Sequence, residues 1–174
     1  MKNSIRKIEN DLIEVVNRQR KIKISLKVWR DFTVSAADEI GEASGKSLTV
    51  AFVSDKKIRQ LNNIYRGVNV TTDVLSFHNE PSDLGFEIGD WGLDDWEKGN
   101  PNSEIPIPKS IYLGDIVISL EQAQRQALEN NLDFETEIKQ LILHGILHLC
   151  GYDHETDDGG MNERELELRD KLGI

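Results

Sequence analysis

Three of the chain's four histidines fall in one short stretch, LILHGILHLCGYDHE, from Leu141 to Glu155. His144, His148 and His154 follow the pattern H-x3-H-x2-G-x2-H. At ~100° per residue of helix, His144 and His148 lie about 40° apart, one turn above the other, and both imidazoles point the same way. Gly151 stands where a helix ends, because glycine takes the left-handed conformation cheaply. The returning chain then brings His154 towards the same point. Three neutral imidazoles suit zinc and leave one tetrahedral position open. An ion so held lowers the pKa of a bound water to about 7, which supplies a nucleophile at neutral pH. A closed structural site needs a fourth ligand. Cys150 is the only thiol, and it falls about 120° from His144 on the helical wheel. We therefore expect an open, catalytic site with one Zn2+ on His144, His148 and His154. His78 reads as an ordinary exposed histidine.

Two carboxylates are candidates to orient a ligating imidazole by accepting its other N–H. Asp73 begins the stretch DVLSF, and Asp115 opens DIVIS. Both also suit a strand end, where a carboxylate bonds the backbone. Asp153 suits a turn. Ser76 has no nearby base in the sequence, so a serine nucleophile is not expected.

The elements that position these groups are readable from periodicity. DLIEVVNR is a strand, rich in β-branched residues. Ser25 is placed to cap a helix whose apolar residues Leu26, Trp29, Phe32, Ala36 and Ile40 step by three and four. SLTVAFVSD has a buried-strand pattern, and the following helix carries Ile58, Leu61 and Tyr65 on one face. TDVLSFHN and IYLGDIVIS are two more strands. Ser119 and Gln122 form a capping box ahead of LEQAQRQALEN. Asp133 caps the helix that runs into the histidines. Gly145 lies in that helix's apolar stripe, where a neighbouring backbone can approach closely. A final amphipathic helix covers roughly 160–172. The expected fold is α/β (α+β): a mixed sheet of about four strands packed with about five helices, the metal site on a helix and its exit turn. Strands separated by helices suit parallel pairing, so the first three are expected parallel and the last two antiparallel.

The chain has 174 residues, 38% hydrophobic and 30% charged, which fits one soluble domain over 1–174. No apolar run approaches the ~20 residues of a membrane span, the first residues lack a secretory signal pattern, and a lone cysteine suits a reducing cytoplasm. Between the last two strands, residues 79–110 hold all four prolines, four glycines and eight carboxylates against two lysines. That composition excludes a regular element and reads as a long acidic loop, more naturally a tolerated insertion than a lid.

The net charge is −10, which argues against a surface coated in phosphate-binding groups. Residues 1–30 nevertheless hold nine Lys and Arg against three Asp and Glu. This end suits either a local phosphate-binding face, with Arg18, Arg20 and Lys23 as its expected contacts, or a solvated face that happens to be basic.

The histidine spacing is also that of metzincin zinc peptidases, H-E-x-x-H-x-x-G-x-x-H, in which the glutamate is the general base. Here its place is taken by Gly145, which makes a peptidase improbable on chemical grounds. Over roughly residues 48–172 the chain instead resembles the bacterial YbeY family, through LNNIYRGVNVTTDVLSF, YLGDIVIS and HGILHLCGYDHE. The resemblance implies a single-strand-specific, metal-dependent endoribonuclease of ribosomal RNA maturation in the cytoplasm. Its partners would be precursor rRNA and the ribosomal subunit, with no membrane and no DNA. The family's zinc ligands carry over to His144, His148 and His154, and its RNA-cleavage arginine to Arg66. The family's YRxxDxPTDVLSFP pattern is broken here by Asn69, Thr71 and His78, which affects the turn before the strand and leaves the histidines intact. A guanidinium at Arg66 suits a phosphodiester, since it can hold two phosphate oxygens. The other readings are a ribosome-assembly factor with a mainly structural zinc and a metzincin-like hydrolase on another substrate.

Overall fold

The structure, a computed structural model, describes residues 12–79, 112–153 and 159–174. Residues 1–11, 80–111 (which include nearly all of the acidic loop) and 154–158 (which include His154) lie outside the described residues. The elements run β1 (Ile13–Asn17), α1 (Leu26–Ile40), β2 (Ser47–Val53), α2 (Asp55–Arg66), β3 (Val74–His78), β4 (Tyr112–Ser119), α3 (Leu120–Glu129), α4 (Phe134–Leu149) and α5 (Gly160–Leu172).

The four strands form one mixed sheet in the order β1-β2-β4-β3. β1 and β2 are parallel, β2 and β4 are parallel, and β3 runs antiparallel to β4. The expected antiparallel pair of the last two strands is therefore present. The expected run of three parallel strands is not, because β4 inserts between β2 and β3. The reason is burial. β4 is buried at six of its eight residues, as a central strand must be, whereas β3 is buried at one of five and takes the edge.

Side-chain alternation divides the core into two layers. On one face Val15, Val50, Phe52, Ile116 and Ile118 pack with residues of α1, α4 and α5. On the other, Val53, Leu75 and Val117 pack with Ile58 and Leu61 of α2. Tyr65 is not on that buried face as expected; it is exposed and meets the Phe77 ring edge-on at 4.9 Å between centroids.

α4 is the central helix. Nine of its sixteen residues are buried, on more than one side, because sheet and helices surround it. Asp133 caps it as expected, with its side chain accepting from Thr136 N at 2.8 Å. Gly145 brings it against the sheet. A Cβ there would stand 2.7 Å from Ile116 Cγ2. The close neighbour is thus the Ile116 side chain, not the backbone that the sequence suggested.

The caps are partly as expected. Ser119 accepts from Gln122 N at 3.3 Å, but its own N–H goes to Asp73 O at 2.8 Å, so only half of the capping box forms. Ser25 occupies the N-cap position of α1 without a side-chain cap bond. Among the described residues no helix is long and apolar enough to cross a membrane.

Candidate metal centre and cleft

α4 and the edge strand β3 border a cleft of about 1240 Å³. That exceeds the ~300–1,000 Å³ usual for small ligands and suits a segment of polymer. β3 runs beside α4, with Ser76 Oγ 3.5 Å from Gly145 O and the His78 ring bonded to His148 O. His78 therefore borders the site, contrary to its reading as a bystander. It is exposed as expected, but the register of β3 along α4 sets its ring against the last turn of the helix.

His144 and His148 are on the cleft face of α4, one turn apart. Their Nε2 atoms lie 3.0 Å from each other. His144 Nδ1 is 3.1 Å from Glu165 Oε2, and His148 Nδ1 is 2.9 Å from the carbonyl of Tyr152. A carboxylate and a carbonyl only accept here, so each Nδ1 is assigned the proton and each Nε2 is left with a lone pair. Two lone pairs facing each other at this distance repel unless a positive species lies between them. A proton or a divalent cation meets that need. Two nitrogens tetrahedrally bound to one zinc at 2.0–2.1 Å would be ~3.3 Å apart, close to the spacing seen. The donor set fits zinc.

The exit from α4 is built as the sequence requires. Gly151 has φ +93°. Tyr152 N bonds Leu147 O at 3.1 Å and Gly151 N bonds His148 O at 2.9 Å, a Schellman closure. It turns the chain so that the Tyr152 carbonyl reaches the His148 ring and Asp153 lines the cleft. His154 follows directly, outside the described residues. Among the described residues no group of three or more metal-ligating side chains assembles, and the described part of the site is the histidine pair. Cys150 packs against the main core, where burial pushes its thiol up to about 11. It does not line the cleft.

Neither aspartate proposed to orient a ring does so among the described residues. Asp73 lines the cleft, but its Oδ1 accepts from Val74 N at 2.8 Å and Thr72 Oγ1 at 2.9 Å. Asp115 sits one residue before Ile116, which faces α4, so it points to the opposite side of the sheet. There it accepts from Tyr112 OH. Burial raises its carboxyl to about 6 against the pull of hydrogen bonds from Tyr112 and Thr49.

The orienting carboxylate is Glu165 of α5, which sequence reasoning missed. It is 6% exposed and is also bonded by Arg169. Burial pushes its carboxyl up, but bonds from His144 and Arg169 outweigh this and hold it below the usual range. The available signal was its place on the apolar stripe of α5, between Met161 and Leu168, where an unpaired carboxylate is too costly to bury.

Arg66, the last residue of α2, and Tyr65 line the same cleft. No hydrogen bond or ion pair engages the Arg66 guanidinium among the described residues. Arg18, Arg20 and Lys23 follow β1, at the sheet edge opposite β3, and do not line it. Among the described residues, the cleft's guanidinium groups are those of Arg66 and Arg169.

Residues 14–173 match the family model described as Endoribonuclease YbeY. The chain is 36% identical over 163 residues to an Endoribonuclease YbeY of Clostridioides difficile, covering 91% of this chain and 94% of that one. It is 38% identical over 167 residues to an Endoribonuclease YbeY of a Thermoanaerobacter species (93% and 98%) and 34% over 167 residues to that of Aquifex aeolicus (94% and 91%). The solution structure of TM1509 from Thermotoga maritima superposes with a TM-score of 0.56 at 24% identity, over 92% of this chain and 88% of that one. It shares the fold.

Proposed function

The chain belongs to the YbeY endoribonuclease family, and on that footing we propose that it is a zinc-dependent endoribonuclease specific for single-stranded RNA. Its role in this reading is ribosomal RNA processing, including maturation of the 16S rRNA 3′ end, and ribosome quality control. Residues 1–174 act as one metal-dependent hydrolase domain in the cytoplasm. The partners are precursor rRNA and the ribosomal subunit, with neither DNA nor membrane involved.

The observation that carries the reading is the facing Nε2 pair of His144 and His148 in a cleft that also holds Arg66 and Tyr65. His144, His148 and His154 would hold one Zn2+. That ion supplies a Lewis acid to polarise a phosphoryl oxygen or generate a nucleophile from water. The chain's own residues do the rest. Arg66 takes two oxygens of the scissile phosphate and stabilises the charge that builds there. Tyr65, half-exposed beside it, offers a face on which an unpaired base stacks, which duplex RNA cannot supply. Glu165 holds the His144 ring in one tautomer and orientation.

The test compares chelator-stripped and zinc-restored protein on a single-stranded RNA, its duplex, the same sequence as DNA, and casein. Cleavage confined to single-stranded RNA and dependent on zinc is expected, with metal content of one per chain. Equal cleavage by stripped protein, or casein as the preferred substrate, overturns the reading.

A further inference from the structure

The cleft continues past the histidines along α4 to Glu137, which is 5% exposed. Its Oε2 is buried without a hydrogen-bond partner. Gln126, from α3, lines the same cleft one turn before Asn130, and its Oε1 is likewise buried and unpartnered. The Asn130 side chain hydrogen-bonds the Glu137 carboxylate, which leaves Oε2 as the oxygen without a partner. A buried acceptor without a donor is costly to keep. Two of them in one substrate cleft call for a ligand that brings N–H groups.

Position along the helix decides between roles. Glu137 precedes His144 by seven residues, ~10.5 Å of rise at ~1.5 Å each. That is too far for bond-making at the histidine pair and is within the reach of a neighbouring nucleotide. A second metal ion lacks a ligand set here, since no group of three His, Cys, Asp or Glu side chains able to hold one assembles among the described residues.

We propose that Glu137 and Gln126 form a nucleobase pocket beside the histidine centre that selects a base with an exocyclic amino group. The inference rests on the reading of the chain as an RNA-cleaving enzyme. An amino group has two N–H donors, one for Gln126 Oε1 and one for Glu137 Oε2. Cytosine, adenine and guanine carry this group. Uracil turns a carbonyl oxygen towards the same acceptors and is disfavoured.

The experiment uses zinc-loaded full-length protein and a five-uridine RNA with one position varied in turn. Three pairs differ in the amino group alone or nearly so: cytidine against uridine, adenosine against purine riboside, and guanosine against inosine. Internal competition gives the ratio of kcat/KM. At one position, at least one pair should favour the amino base by about tenfold, the scale of a well-made set of base contacts. Glu137→Gln should bring that ratio below about threefold, since its amide also donates to a carbonyl. Gln126→Leu should do the same, and covers the case in which the first variant fails to fold. Ratios within twofold for every pair and position overturn the pocket while leaving the endoribonuclease reading intact. A wild-type ratio retained in either folded variant also overturns it. Failure to cleave any of these RNAs overturns both.

Discussion

The Nε2 atoms of His144 and His148 face each other at 3.0 Å, while each ring's Nδ1 is held by an acceptor. Helical spacing brings the rings to one side, but the outer partners turn both lone pairs to one point. Glu165 does this for His144, and the Tyr152 carbonyl does it for His148.

Metal affinity should follow this arrangement. His148→Ala removes a ligand and should abolish stoichiometric zinc binding. Glu165→Ala should weaken binding about 10–100-fold, the usual range for an orienting partner. Glu165→Gln keeps an acceptor and should lose less. Competition against a chromogenic chelator measures all three. Unchanged affinity in Glu165→Ala would show that the carboxylate does not orient the ring.

Arg66 should matter to catalysis and not to the metal. Arg66→Ala should lower kcat/KM on single-stranded RNA by about 10²–10³, the scale of one lost charge-stabilising donor. Zinc content and melting temperature should stay at wild-type values. Arg66→Lys should restore only part, because an ammonium lacks the two-pronged geometry. Charge reversal at Arg66 should weaken RNA binding more than reversal of Arg18, Arg20 and Lys23 together, since those three lie off the cleft.

Gly145 should resist a methyl group. Alanine gains ~1 kcal/mol in helix propensity, but overpacking against Ile116 costs ~1–3 kcal/mol. Gly145→Ala should therefore be destabilising by about 1 kcal/mol, read by denaturant unfolding. In an Ile116→Ala background, which vacates the space, the same substitution should become neutral or stabilising. A penalty that persists there would place the strain elsewhere.

Asp115 should leave a pH signature. Its folded-state pKa of about 6 is above the ~3.9 of an unfolded aspartate. Between these values the folded state binds more protons, so this group's contribution to stability is greatest at low pH and is lost as pH rises through about 6. The difference is about 2–3 kcal/mol. Carboxylates held low, such as Glu121, act in the opposite sense, so the measurement is the wild type minus Asp115→Asn. That difference should move in favour of the variant between pH 4.5 and 7.5. A difference independent of pH would mean the Asp115 carboxyl titrates normally.

Local information was enough for much of the fold. β-Branched and continuous apolar runs marked the four strands, three-and-four spacing marked the helices, and Asp133, Ser119 and Gly151 marked helix ends. These features depend on neighbours within a few residues, which the sequence displays directly. The histidine spacing was legible for the same reason, since positions four apart on a helix share a face whatever surrounds them.

Long-range packing decided the remainder. Which strand enters the sheet's centre depends on covering both of its faces, so β4 displaced β3 from beside β2. Side-chain alternation sent Asp115 away from the histidines, and α5, from the far end of the chain, delivered Glu165 to His144. The same packing set His78 against α4 and brought Gln126 and Glu137 into one cleft. Such pairings arise between residues 11 to 70 positions apart, where no local period exists and only the shared burial of apolar faces chooses the partner.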